Sequence, residues 1–348
     1  MSHGLTVGWT AALCVILGSH VAAGQHWARF RGPNGCGESE ATTVPVQWTP
    51  RDYRWKVELP GPGHSSPVVW DDRVVITSAR EDGENLSVLC LATADGTTIW
   101  SRTMATGRSA KSPLNSFASS TPALDAKHVY ATWTTPAHYV IAALSLHSGD
   151  EVWRREFEPF HSEHGLGASP VVWEDMVIVP NDQDGPSSVL ALEGVNGKTR
   201  WQTNRRSEKA AFATPCVYQA AGDSPQLILS SWAHGVSGLD LRSGKMLWDL
   251  PVFQFRTVGS PLVAAGLVFA TAGTGGVGRQ AVAIRPGGAG DAAAKVAYRP
   301  EVPIPYVPAP VARGNLVFLW QDRGMVSCLD GPSGKVHWRE RVGGDYFS

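Results

Sequence analysis

Ala143-Leu144-Ser145-Leu146-His147-Ser148-Gly149-Asp150-Glu151-Val152-Trp153 recurs without gaps at four other places in this 348-residue chain, at 90–100, 191–201, 238–248 and 328–338. Each copy opens on a small residue (Cys90, Ala143, Ala191, Gly238, Cys328) followed by a Leu. Each then turns at a Gly and places a Trp four residues after it: Trp100, Trp153, Trp201, Trp248 and Trp338. Repetition at this density is the signature of a repeat architecture, and it accounts for much of the 14 Trp in the composition.

A second marker precedes each copy. Ser66-Pro67, Thr121-Pro122, Ser169-Pro170, Thr214-Pro215, Ser260-Pro261 and Ala309-Pro310 each open a short apolar run, and successive prolines are 55, 48, 45, 46 and 49 residues apart. Within a unit, runs rich in Val, Ile, Leu and Trp are cut by Asp-Gly, Ser-Gly and Asn-Gly turns, which supply the positive φ of tight hairpins. One such four-stranded meander has two apolar faces and cannot stand alone, so neighbouring units must stack face to face. The Trp then packs between sheets. Units of this length and strand number predict an all-β propeller of four-stranded antiparallel blades.

The fifth unit departs from the pattern. Ala283-Ile284-Arg285-Pro286 starts it, a low-complexity stretch at 287–294 follows, read as a floppy exposed loop, and Tyr298 stands where the Trp is due. Ahead of the first unit, Tyr53-Arg54-Trp55-Lys56-Val57-Glu58-Leu59 reads as a lone Trp-bearing outer strand. The chain stops at Tyr346-Phe347-Ser348, where the next Ser-Pro strand is due. The expectation is therefore six blades plus an orphan N-terminal strand, truncated from a seven- or eight-bladed ring, with two apolar sheet faces left open. A closed six-bladed ring with an ordinary leader strand is the competing reading.

Residues 7–17 form an apolar run too short to span a membrane, with Val21 and Ala23 at the small-residue positions of a cleavage site before Gly24. The expected organisation is a signal peptide over 1–23, a leader with the orphan strand over 24–60 and the propeller over 61–348. Met1-Ser2-His3-Gly4 lacks a basic residue, which leaves a buried N-terminal strand or helix as the alternative. Ala11-Ala12-Leu13-Cys14 is a poor lipid-attachment sequence, and no transmembrane segment remains after signal removal. Lys+Arg 30 against Asp+Glu 31 gives no electrostatic reason to expect nucleic acid.

The motif of small residue, Leu, turn, Gly and Trp resembles the tryptophan-docking repeat of the pyrroloquinoline-quinone-type (PQQ-type) propellers, a group that includes quinoprotein alcohol dehydrogenases and non-catalytic outer-membrane assembly lipoproteins. The leader Trp27-Ala28-Arg29-Phe30-Arg31-Gly32-Pro33-Asn34-Gly35, with Trp48 and Trp55, is similar to exported bacterial members. The resemblance covers about residues 26–348 and speaks to fold far more than to function. It implies Trp55, Trp100, Trp153, Trp201, Trp248 and Trp338 as structural docking residues. The dehydrogenases hold the quinone beneath a disulfide of adjacent cysteines, and this chain has no Cys-Cys pair or Cys-x-x-Cys-His segment. Cys90 and Cys328 fill the same slot in different blades, too far apart to bridge. They read, despite the even count of Cys36, Cys90, Cys216 and Cys328, as small buried hydrophobes.

Three local motifs weigh toward ordinary turns. Gly273-Thr274-Gly275-Gly276-Val277-Gly278 is followed by a strand pattern and not by the helix a dinucleotide site needs, so it reads as a hairpin. His161-Ser162-Glu163-His164 lacks a third metal ligand, and Asn181-Asp182-Gln183-Asp184-Gly185 lacks the spaced Glu of a calcium loop. The binding candidates lie in the loops entering each inner strand, around one mouth of the channel: His64, Asn115, Phe117, His164, Phe212, Arg256, Tyr306 and Tyr346. The reading favours a periplasmic or cell-surface scaffold binding an envelope protein or peptide, with no cofactor, no catalytic residue and no metal ligand assigned. A PQQ- and calcium-dependent dehydrogenase is the alternative, and a polysaccharide-binding propeller the third.

Overall fold

The computed structural model describes residues 26–206, 209–276, 278–288 and 293–344. The expected signal segment at 1–23 and Tyr346 lie outside them. The described residues form six four-stranded antiparallel sheets, each in plain sequence order. The first holds β1 (Val68–Trp70), β2 (Arg73–Ala79), β3 (Asn85–Ala92) and β4 (Thr98–Ala105), the second β5 (Ala123–Leu124), β6 (His128–Thr134), β7 (Tyr139–Ser145) and β8 (Glu151–Phe157). The third holds β9 (Val171–Trp173), β10 (Met176–Asn181), β11 (Ser187–Glu193) and β12 (Thr199–Arg205), the fourth β13 (Cys216–Tyr218), β14 (Gln226–Ser231), β15 (Gly235–Asp240) and β16 (Met246–Leu250). The fifth holds β17 (Leu262–Ala264), β18 (Leu267–Ala272), β19 (Gln280–Arg285) and β20 (Lys295–Tyr298), the sixth β21 (Val311–Arg313), β22 (Leu316–Trp320), β23 (Met325–Asp330) and β24 (Val336–Arg341).

The register explains the repeat. The small residue that opens each copy is the cross-strand partner of the Trp: Cys90 faces Trp100, Ala143 faces Trp153, Ala191 faces Trp201, Gly238 faces Trp248 and Cys328 faces Trp338. A large side chain there would collide with the indole. Gly238 is the extreme case, since a Cβ on it would lie 2.4 Å from the Trp248 ring. The ladder shifts by one residue straight after each small position, a β-bulge that turns the following Leu into the core. The turn glycine has a different partner. Gly149, at φ 73°, sits under the Trp100 indole of the preceding blade, and the Trp100 Nε1–H donates to Leu146 O at 3.0 Å. Trp153 repeats this on Gly194 O at 2.7 Å and Trp201 on Leu241 O at 3.1 Å. Tyr298 substitutes for the Trp, its hydroxyl donating to Gly331 O and its ring covering Gly334. The core is accordingly five apolar layers, one between each pair of consecutive blades.

Three details differ from the sequence reading. Residues 53–59 form no ladder, though Trp55, Val57 and Leu59 are half-buried in alternation with exposed neighbours. Trp55 nevertheless docks, donating to Thr93 O at 2.9 Å and covering Gly96. The leader thus shields the first blade, whereas among the described residues no blade follows the sixth. There Trp338 is 42% exposed, its ring 6.1 Å from that of Phe318 in its own blade. Finally, in the fifth unit's insertion, Pro286 and Gly287 are buried, not floppy, because Gly287 O accepts from the Gln226 amide at 2.6 Å; residues 289–292 are not described.

The leader crosses the ring interior. Trp27 bridges Val69 of β1 in both directions at 2.9 Å, and Ala28 O accepts from Leu124 of β5 at 2.7 Å. Arg29 donates to Pro215 O and Arg31 to Pro310 O, at the heads of β13 and β21. The Asn34 side chain completes Val217 as a strand would, donating to its carbonyl at 2.8 Å and accepting from its N–H at 2.7 Å. Trp27 lies flat on Gly32, where a Cβ would come within 2.4 Å of the ring.

Candidate functional site

Five of the six inner strands enter from the same mouth through a Ser/Thr-Pro step, and the hydroxyls at that step tie the blades together. Ser66 N–H donates to Thr121 Oγ1 at 2.9 Å, Thr121 to Ser169 Oγ at 3.0 Å, Ser169 to Thr214 Oγ1 at 3.0 Å and Thr214 to Ser260 Oγ at 2.9 Å. Ala309 has no hydroxyl, so the belt ends at the fifth blade. These buried bonds set the mouth loops in fixed relation to one another, the condition for a site assembled from several blades.

On this belt the third, fourth and fifth blades bring three of the sequence candidates together. The His164 and Phe212 rings stand 5.9 Å apart, tilted by 56°. The Arg256 guanidinium lies 5.8 Å from the Phe212 centroid, in cation–π range, and 3.6 Å from the Glu163 carboxylate. Lys209 reaches the same carboxylate at 3.4 Å. Burial first, and the Arg256 charge second, hold His164 below its ordinary pKa, so it is a neutral donor and acceptor at neutral pH. The Arg256 Nε is buried with no acceptor. The cluster offers an aromatic face, a neutral imidazole and a guanidinium paired with Glu163.

The remaining candidates are placed differently. Tyr306 is one blade further on, against Gly273, and its N–H donates to Asp322 at 3.0 Å; the carboxylate pairs with Arg279 at 3.4 Å. Gly273 N–H donates to Arg256 O at 3.0 Å and joins the two groups. Asn115 acts as a strut, its amide donating to His164 O at 2.7 Å and Leu166 O at 3.3 Å in the next blade. Phe117 is committed to packing over Gly83, with Lys111 5.2 Å above its ring. His64 is exposed, its N–H bonded to Ala118 O at 3.0 Å. Beneath the mouth lies a pair the sequence reading did not single out, Arg205 and Asp182 at 2.7 Å, with Arg205 also donating to Ser237 at 3.1 Å and Ser231 at 3.3 Å. Asp182, Arg279 and Asp322 had a usable signal, because antiparallel order returns the hairpin between the second and third strands of each blade to the mouth where the first strand begins, and the end of the fourth strand, where Arg205 lies, returns there too.

The residues present were tested for the calcium that quinoprotein propellers employ. Calcium takes six to eight oxygen ligands, with carboxylates prominent. The leader instead sets two guanidiniums and the thiols of Cys36 and Cys216 in the interior, while at the mouth Glu163, Asp182 and Asp322 are paired with basic side chains. This donor set does not fit a calcium ion. The four cysteines among the described residues are free thiols, Cys90, Cys216 and Cys328 buried. Among the described residues no helix is long and apolar enough to cross a membrane.

Six sheets of a Trp-docked four-stranded unit, ringed by a hydrogen-bonded mouth, define a propeller of the PQQ-like class. The chain belongs to the family described as outer membrane protein assembly factor BamB, whose model matches residues 46–157 and 84–339. Among solved structures it is similar to BamB from Moraxella catarrhalis, at 15% identity and a TM-score of 0.60 over 84% of this chain and 79% of that one. The quinohemoprotein alcohol dehydrogenase of Comamonas testosteroni gives 13% identity and 0.61 over 94% and 75%. Quinohemoprotein alcohol dehydrogenase ADHIIG of Pseudomonas putida HK5 gives 12% and 0.57 over 81% of this chain but 59% of that one. At these identities the likeness is one of fold. No curated protein sequence matches the chain.

Proposed function

We propose that this protein is a non-catalytic scaffold of the bacterial envelope, periplasmic or at the cell surface, that binds a protein or peptide at the mouth formed by blades three to six. The observation that carries the reading is the His164–Phe212–Arg256 cluster. An aromatic ring flanked by an imidazole and an incompletely satisfied guanidinium is the composition of an interface anchor, where aromatic residues and Arg dominate binding energy. Family membership supports the same direction, since the family carries the name of an assembly factor. The reading requires no cofactor.

A photo-crosslinking residue placed at Phe212 in the full chain tests it against envelope extract. The expected result is one discrete adduct, lost in Arg256→Glu and absent when the crosslinker sits at His147 on the opposite face. Equal labelling from both positions would overturn the reading. So would one-to-one binding of PQQ with calcium accompanied by dye-linked alcohol oxidation, or saturable binding of a neutral polysaccharide in place of protein.

A further inference from the structure

Arg29 and Arg31 are two positive charges that the leader carries into the ring interior, and the mouth makes no use of them. Arg29 is 7% exposed. One nitrogen of each guanidinium donates to a proline carbonyl, of Pro215 in the fourth blade and Pro310 in the sixth. A second nitrogen of each, Nε of Arg29 and Nη1 of Arg31, is sealed from solvent with no acceptor. Buried donors left this way are rare because they forfeit their hydration without replacement.

The charges are equally uncompensated. Among the described residues no carboxylate pairs with either guanidinium. The groups that act on Arg29 are Cys216, Cys36 and Arg31 itself. The Cys216 thiol is no counter-charge, because burial pushes it up to about 12 and keeps it protonated. Burial brings both arginines down to about 10, which still leaves both charged at neutral pH. Each guanidinium is also bordered by backbone without a side chain. A Cβ on Gly35 would stand 3.2 Å from Arg29 Nη2 and one on Gly37 3.5 Å from Arg31 Nη2, and both glycines have positive φ. Asn34, clamped on Val217 from both sides, holds this turn in place.

We infer that the ring interior at Arg29 and Arg31 is an anion site whose ligand is a small oxyanion, a phosphate-like or carboxylate group held by the two guanidiniums. Orphaned donors and absent counter-charge point to the same missing partner, and the planar, always-charged fork of Arg matches the paired oxygens of either group. The two sources of that chemistry are a free inorganic anion and the carboxylate of a polypeptide.

Calorimetric titration of the full chain with sodium phosphate and, separately, sodium acetate at constant ionic strength tests the site. Saturable binding of one anion per chain is expected, weakened by about tenfold or more in Arg31→Gln and unchanged in Arg54→Gln, an exposed arginine of the leader. Tighter phosphate binding identifies a free oxyanion as the ligand, and tighter acetate binding a carboxylate. Should Arg31→Gln fail to fold, the wild-type melting temperature replaces it: it is expected to rise saturably with phosphate above a chloride control of equal ionic strength. No saturable signal in folded wild-type protein, or equal binding in wild type and Arg31→Gln, would overturn the site and leave the arginines as staples between blades.

Discussion

The indole of Trp248 is joined to the carbonyl of Gly287 in the next blade through one side chain, Gln226. The Trp248 Nε1–H donates to Gln226 Oε1 at 2.7 Å, and Gln226 Nε2–H donates to Gly287 O at 2.6 Å. At the other described junctions the ring docks directly on the carbonyl three residues before the turn glycine, as Trp153 does on Gly194. The fifth blade replaces that turn with an insertion, and the corresponding residue is Pro286. A buried amide, donor at one end and acceptor at the other, spans the displaced gap.

Gln226→Leu therefore strands an indole donor and a buried carbonyl together. Stability is expected to fall by about 1–3 kcal/mol, read as a lower urea midpoint at unchanged slope. Gln202→Leu, on an exposed strand position, serves as control and should shift the midpoint little. Equal effects would mean the relay contributes nothing.

The belt at the mouth is open to gain as well as loss. Ser169→Ala removes the acceptor of the Thr121 N–H and should cost about 1–2 kcal/mol. Ala309→Ser offers Ser260 N–H the hydroxyl that every earlier junction has, and stability should rise by about 0.5–1 kcal/mol. Thermal unfolding of the two variants beside the parent checks both signs.

His234 gives the pH dependence. It is 4% exposed, and burial first, then the Arg205 charge, hold its pKa below the ordinary 6.5 despite the Asp249 carboxylate at 3.1 Å. The folded protein keeps the imidazole neutral while the unfolded chain protonates it below 6.5. Stability contributed here is thus present above pH 6.5 and lost as pH falls from there through the lower folded value. Urea midpoints between pH 7.5 and 5 should decline in the parent and flatten in His234→Gln; parallel curves would contradict the assignment.

The exposed face of the sixth blade should make the protein self-associate. Val311, Leu316 and Trp338 lie there more than a third exposed, an apolar sheet face that no blade covers among the described residues. Sedimentation velocity is expected to show mass rising with concentration, and Trp338→Glu to suppress it. A strictly monomeric parent at high concentration would show the face to be harmless.

The sequence by itself determined the blade. Small residue, Leu, turn Gly and Trp sit at fixed spacings within one hairpin: Ala191 must be small because Trp201 pairs with it, and Gly197 turns the chain between them at φ 70°. Such constraints repeat with the unit, so periodicity exposes them, and even the Tyr298 substitution was legible. The mouth was half legible, because loop position follows from strand order; it yielded His164, Phe212 and Arg256 but not Arg205 with Asp182, whose pairing depends on the approach of β12 to the end of β10. Only the tertiary structure decided that residues 26–37 run across the interior to four different blades, that Arg29 meets Pro215 and Arg31 meets Pro310, and that Gln226 repairs the fifth junction. Those contacts join residues tens to hundreds of positions apart and occur once each. No local propensity encodes them, and no repetition reveals them.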